Sequence, residues 1–385
     1  MITGIKSKRI LLPDRLLDGY LYMEAGKLLS VGATPQPCDE LLDFGDLYVA
    51  PGFIDLHTHG AAGYSFSDCT PEGVLEACRY HMRHGTTTLY PTLSAAPLSQ
   101  MARAVAVIAG IMEDGSAPIS IPGIHMEGPY LSIRQCGAQK PAHITPPIAS
   151  DYIPFLQEYG KYVARWTYAP ENDPEQQFCR ALTKRGVLPS VGHSDATYEQ
   201  LLPAFAAGCT LVTHLYSCTS TITRTQGYRH LGIIESAYLL DGLDIEIIGD
   251  GKHLPPELLR LIFKCKDHSH IALVTDSLAA AGLEGAASAG NADYIIEDGV
   301  CKLPDRSAFA GSVATGDVLL RNALQAGCSV VDAVSMLTAV PARIMGLPKG
   351  RLEPGLDADI VVFDEDINIR AVFAGGVCSE AGQPV

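Results

Sequence analysis

From residue 49 to residue 276 the chain alternates short, unbroken apolar runs with longer stretches in which apolar positions recur every three or four residues. Short runs of this kind read as strands buried on both faces. The longer stretches read as amphipathic helices, and the alternation predicts a parallel sheet joined by helical crossovers. Strands are predicted at 49–59, 86–90, 124–127, 162–168, 190–193, 211–214, 244–249 and 271–276. Helices are predicted at 72–84, 98–112, 175–185, 198–207 and 256–264, and two more, 315–325 and 331–345, follow the last strand. Gly85, Gly186 and Gly208 stand just past three of these helices, where a left-handed cap is expected.

The two ends of the chain differ in style. Residues 9–12, 19–23 and 27–31, and again 358–363 and 369–373, read as short strands, with Gly375-Gly376 as a hairpin turn. The expected fold class is therefore α/β, a (β/α)8 TIM-type barrel over 49–346. Residues 1–48 and 347–385 are expected to combine into one small β-sandwich domain.

Five of the predicted barrel strands end on metal-ligand chemistry. The first carries His57-Thr58-His59, whose side chains point the same way on a strand and can chelate a divalent ion from the lumen. The third ends His125-Met126-Glu127, the fifth on His193, the sixth on His214 and the eighth on Asp276. Taken singly, each has a plainer explanation. A strand-end histidine is more often hydrogen-bonded in a core or loop, a buried glutamate can pair with a lysine or arginine, and an aspartate can cap the next helix. Together Glu127, His193 and His214 suit zinc or ferrous iron with an open water position, and Asp276 is placed to act as base. His125 reads as a hydrogen-bonding neighbour of the ligands. His253, at the end of strand seven, falls on the same face and is expected to touch a ligand, whereas His81, His84, His268 and His270 read as solvated.

Composition narrows the partners. With 385 residues, 47% hydrophobic and 18% charged, the chain can bury a large core. A formal net charge of −15 argues against nucleic acid or an anionic membrane as the main partner but allows a small anionic substrate. No apolar run is long enough to cross a bilayer, and residues 1–9 lack a signal-peptide core. The eleven cysteines are scattered singly, which suggests reduced thiols in a cytoplasmic compartment. Cys78 and Cys265 are expected as small buried hydrophobes.

The motifs 51-PGFIDLHTHG-60, 125-HMEGPYL-131, 192-GHSDA-196, 213-THLY-216, 249-GDGKH-253, 274-VTD-276, 309-FAGS-312 and 355-GLDADIV-361 resemble those of the amidohydrolase superfamily. More narrowly, they are similar to the N-acetylglucosamine-6-phosphate deacetylase family. That resemblance implies metal-dependent hydrolysis of an acetamido sugar phosphate to the amine and acetate. It implies Glu127, His193 and His214 as ligands of the principal metal, His57 and His59 as ligands of a second ion in members that carry one, and Asp276 as general base and then acid. One or two ions per subunit is left open.

The same resemblance assigns substrate contacts to Ala138, Gln139, Ser217, Cys218, His253, Phe309, Ala310 and Gly311, and a phosphate clamp to Arg229 or alternatively Arg224. In the family that arginine reaches across an interface, which implies a homodimer. Three places depart from the family pattern. Gly137-Ala138-Gln139 stands for Gly-Ala-His, Ser217-Cys218 stands for Asn-Ala, and the arginine segment is lengthened. All three fall on sugar and phosphate recognition. Two rivals are another amidohydrolase acting on a different N-acyl amine or N-acetylated sugar, and a non-catalytic binding protein on a barrel frame. Strand 162–168 holds no lysine, which counts against members that bridge two metals with a carboxylated lysine.

Overall fold

The computed structural model describes residues 1–283 and 294–380. Eight parallel strands form the central sheet: Phe53–Thr58, Thr86–Leu93, Ile124–Glu127, Val163–Tyr168, Leu188–Val191, Leu211–Val212, Asp244–Ile248 and Ile271–Val274. Each pairs with its sequence neighbour. Closure between the first and eighth is carried by the Thr58–Ser277 bridge and by Asp55, which accepts from Thr275 Oγ1 at 2.6 Å. The fold is a (β/α)8 barrel.

Alternation along each strand decides what faces the lumen. On the first strand Ile54 and Leu56 point outward and pack with Val340 and Ala342 of the closing helix Ala339–Met345, so His57 points inward. On the fourth, Trp166 and Tyr168 turn out towards Tyr130 and Phe178, leaving Arg165 and Thr167 inside.

Several elements differ from the sequence expectation. The run predicted as strand 49–59 is two strands: Tyr48–Pro51 belongs to the terminal sheet and Phe53–Thr58 to the barrel, so the expected boundary at 48/49 runs through a strand. Thr3–Leu11 and Ile360–Phe363 flank Tyr48–Pro51, which joins the two ends of the chain in one eight-stranded sheet. The expected sandwich is thus a single connected sheet around its own core, which includes Ile5, Leu21, Val49, Ile360 and Phe373. Residues 381–385 of its expected C-terminal part lie outside the described residues. The predicted helix 331–345 is two, Val330–Leu337 and Ala339–Met345, broken at Thr338. Sequence reading also missed a three-stranded sheet (Ile295–Glu297, Val300–Lys302, Phe309–Ser312) and a hairpin (Thr223–Thr225, Tyr228–His230).

Gly52 is the joint between the two sheets. A Cβ there would lie 2.2 Å from Thr87 Oγ1, far inside contact distance. Gly52→Ala is expected to cost about 1–3 kcal/mol through overpacking, read as a lower midpoint in thermal or denaturant unfolding; an unchanged midpoint would contradict this close packing.

Candidate active site

Three of the strands stop two residues short of the side chain that matters. Val191, Val212 and Val274 are the last strand residues, and His193, His214 and Asp276 follow with φ of 47°, 31° and 48°. Non-glycine residues seldom adopt this left-handed conformation, and such strain gathers at functional sites. Here it turns each side chain over the barrel mouth. His57 and Glu127 reach the same point along their own strands and His59 just past the end of the first, and all six residues are buried.

Glu127 is the hub. Its Oε1 lies 3.0 Å from His214 Nε2, 3.2 Å from His193 Nε2 and 3.5 Å from His57 Nε2. Its Oε2 lies 3.3 Å from His59 Nε2. Asp276 Oδ1 stands 3.4 Å from His57 Nε2 and 3.3 Å from His59 Nε2. Two overlapping ligand groups result, His57–His59–Asp276 and His57–Glu127–His214.

The opposite ring nitrogens are held from behind. His193 Nδ1 donates to the Gln135 carbonyl at 2.9 Å, His214 Nδ1 to the Ser217 carbonyl at 3.1 Å, and His59 Nδ1 lies 3.1 Å from Ser94 Oγ. Rings anchored at Nδ1 with Nε2 converging on carboxylates are the arrangement metal-ligating histidines adopt. His125 spends both nitrogens on Thr92 and Thr167 hydroxyls, so it supports the layer and is not a ligand.

The electrostatics also favour a cation. Burial pushes Glu127 up, but the surrounding imidazoles, His57 and His193 foremost, hold it well below the usual carboxylate range. Burial works against charging His59, yet Asp276 and Glu127 lift it to about 10. Two carboxylates closed in with imidazole nitrogens suit a divalent ion in donor type and charge.

Above the ligands opens a cavity of about 700 Å³. Ala138, Gln139, Ser217, Cys218, His253, Phe309, Ala310 and Gly311 all line it, brought together from three loops and the strand Phe309–Ser312. Two are committed otherwise than expected. Gln139 donates to Glu127 Oε2 at 2.6 Å and accepts from the Ala95 amide at 2.9 Å, so its amide buttresses a candidate ligand. His253 fixes Nδ1 on Asp250 at 2.7 Å. His143, which sequence reading passed over, also lines the cavity, with Nδ1 2.9 Å from the Ala95 carbonyl. Arg224 and Arg229 face each other across the exposed hairpin, and neither lines this chain's own cavity. His81 is not solvated: it is fully buried between Thr58 Oγ1 and the Gly60 carbonyl, and burial lowers its pKa to about 4. Cys78 is buried as expected, whereas Cys265 is exposed.

The amidohydrolase family model matches residues 48–380. The chain belongs to the amidohydrolase family. As a member it is a hydrolase of carbon–nitrogen amide bonds, and its relatives are specific. Human N-acetylglucosamine-6-phosphate deacetylase is 32% identical over 96% of this chain and 93% of its own length. The Haemophilus influenzae deacetylase is 32% identical over 86% of each chain. A variant of the Mycobacterium smegmatis enzyme, solved in complex with N-acetyl-D-glucosamine-6-phosphate, superposes with a TM-score of 0.89 at 31% identity, covering 98% of this chain and 99% of that one. The Thermotoga maritima enzyme gives 0.85 at 30% identity over 98% and 99%.

Glu127 contacts every candidate imidazole ligand. Glu127→Gln is expected to leave the fold intact and strip most bound divalent ion, measured as metal per chain by mass spectrometry. Undiminished metal content would remove Glu127 from the ligand set.

Proposed function

We propose that this protein hydrolyses the acetamide of N-acetylglucosamine 6-phosphate, releasing acetate and the amino sugar phosphate. The observation that carries the reading is the convergence of Glu127, His193, His214 and Asp276 at the floor of one cavity. The relatives and the substrate complex of a structural neighbour give the chemistry its substrate.

Glu127, His193 and His214 would hold the principal ion, and His57 and His59 a second one. Zinc fits the donors first and ferrous iron second. When bound, the metal supplies Lewis-acid polarisation of the acyl carbonyl and of the attacking water. Asp276 accepts the proton of that water at its carboxylate and returns it to the departing nitrogen. Imidazoles beside it hold Asp276 below its usual pKa despite burial, so it is ionised and ready to accept. His253, anchored through Nδ1, offers Nε2 to the acyl carbonyl. Backbone and side chains of Ala138, Ser217, Cys218 and 309–311 shape the sugar pocket, and Gln139 serves it through Glu127.

Among the described residues, no arginine lines this cavity. We assign phosphate recognition to Arg229, with Arg224 as its alternative, delivered on the hairpin of a second copy in a homodimer. A guanidinium suits a phosphate through paired hydrogen bonds. The singly scattered cysteines, with no C-x-x-C pair in the sequence, fit a reducing, cytoplasmic setting, and no described helix is long and apolar enough to cross a membrane.

Asp276→Asn is expected to lower kcat by about 10²–10⁴-fold, the usual worth of positioned acid–base catalysis, while substrate still binds; near-normal turnover would remove Asp276 from the role. Arg229→Ala is expected to raise KM for N-acetylglucosamine 6-phosphate by about 10–100-fold, from the roughly 1.5–3 kcal/mol of a charge-assisted hydrogen bond. Unphosphorylated N-acetylglucosamine should show no such change. If acetate release ignores the phosphate in the native protein, a different N-acetylated substrate is indicated.

A further inference from the structure

Directly beneath the ligand layer, Arg165 of the fourth strand spans the lumen to Glu246 of the seventh, and both are completely buried. The guanidinium engages both carboxylate oxygens, one through a very short contact and the other at 3.1 Å. It also donates to Thr213 Oγ1 at 2.9 Å and to the carbonyl of Leu56, the residue before His57, at 3.2 Å. Glu246 Oε2 in turn faces His57 Nδ1 at 3.5 Å. That nitrogen is buried and has no hydrogen bond among the described residues.

The plain explanation is a barrel-filling ion pair. Buried pairs are weak contributors to stability, however, and well-packed apolar residues usually fill such space as well. Filling space does not require a carboxylate oxygen aimed at the back of one imidazole. His59, His193 and His214 are backed by neutral oxygens of Ser94, Gln135 and Ser217, so His57 alone is backed by a charged group. It is also the residue common to both candidate ligand groups.

We propose that the Arg165–Glu246 pair positions His57 as a metal ligand: Glu246 faces Nδ1 as a hydrogen-bond acceptor and so keeps the ring proton on Nδ1, leaving the Nε2 lone pair for an ion, and Arg165 fixes both the carboxylate and the strand that carries His57. The proposal rests on the metal-binding reading of the site. Neither residue touches substrate. Their action runs through the ring orientation of His57 and through occupancy of the His57–His59–Asp276 position, while the rings of His193 and His214 have their own Nδ1 anchors on the Gln135 and Ser217 carbonyls.

The test titrates chelator-treated full-length protein with Zn2+ or Co2+, counting ions by calorimetry and mass spectrometry. It compares the native chain with Glu246→Gln, with the charge-free pair Arg165→Gln/Glu246→Gln, and with His57→Ala. Glu246→Gln leaves a buried, unpaired guanidinium and can unfold; the double variant removes that charge and answers in its place. The expected result is a loss of about 10–100-fold in affinity for the ion at His57, the usual worth of a residue orienting a ligand. That loss should appear in the double variant as in His57→Ala, with the ion at Glu127, His193 and His214 retained. A folded double variant that binds metal like the native chain would overturn the proposal and leave the pair a packing element. Native affinity in His57→Ala would overturn it too, because His57 would then not be a ligand. A native protein that takes up neither metal would overturn the metal reading itself.

Discussion

A glutamate carboxylate held at the mouth of a barrel, closed off from water and ringed by four imidazoles, is expensive unless positive charge is supplied to it. Glu127 is in that position, and much of the surrounding structure serves it. Gln139 donates to one of its oxygens, two of the histidines are pinned through Nδ1 to backbone carbonyls, and Asp276 adds a second carboxylate on the far side. An ion with two positive charges resolves the excess of negative charge and the convergence of lone pairs together.

The barrel is what makes this convergence possible. Ligands far apart in sequence meet because each is carried at the end of a different parallel strand around a closed sheet. The left-handed residues after strands five, six and eight are the local cost of bending His193, His214 and Asp276 over the mouth. Below them the lumen is polar where many barrels are aliphatic. Arg165, Thr167, Ser190, Thr213 and Glu246 form a connected hydrogen-bonded layer, so the candidate ligands stand on a rigid charged floor. Chemistry above and scaffold below are joined through His57.

Much of the site was legible in the sequence because its residues break local rules. Histidines and carboxylates at the ends of apolar runs are costly without a shared partner, and that cost pointed to one metal centre before any geometry was known. The eight strands were legible for the same reason, as short runs buried on both faces. Other features left no comparable mark. Tyr48–Pro51 and Phe53–Thr58 are separated by Gly52 alone, so periodicity could not show that it divides them between two sheets. Arg165 and Glu246 look like isolated polar residues within strands, and only their meeting across the lumen gives them meaning. His81 sits in a helical pattern that says nothing of the strand-one loop it buries against. The direction in which Gln139 points depends on Glu127 and Ala95, which no local pattern relates to it.

The central claim, a divalent-metal centre built on Glu127, is tested most directly by a crystal structure of metal-loaded protein with anomalous diffraction recorded across the zinc edge. The account predicts an anomalous peak bonded to Glu127, His193 and His214, with any second peak at His57, His59 and Asp276. A well-ordered site with no peak there, or ions bound only elsewhere on the molecule, would contradict it.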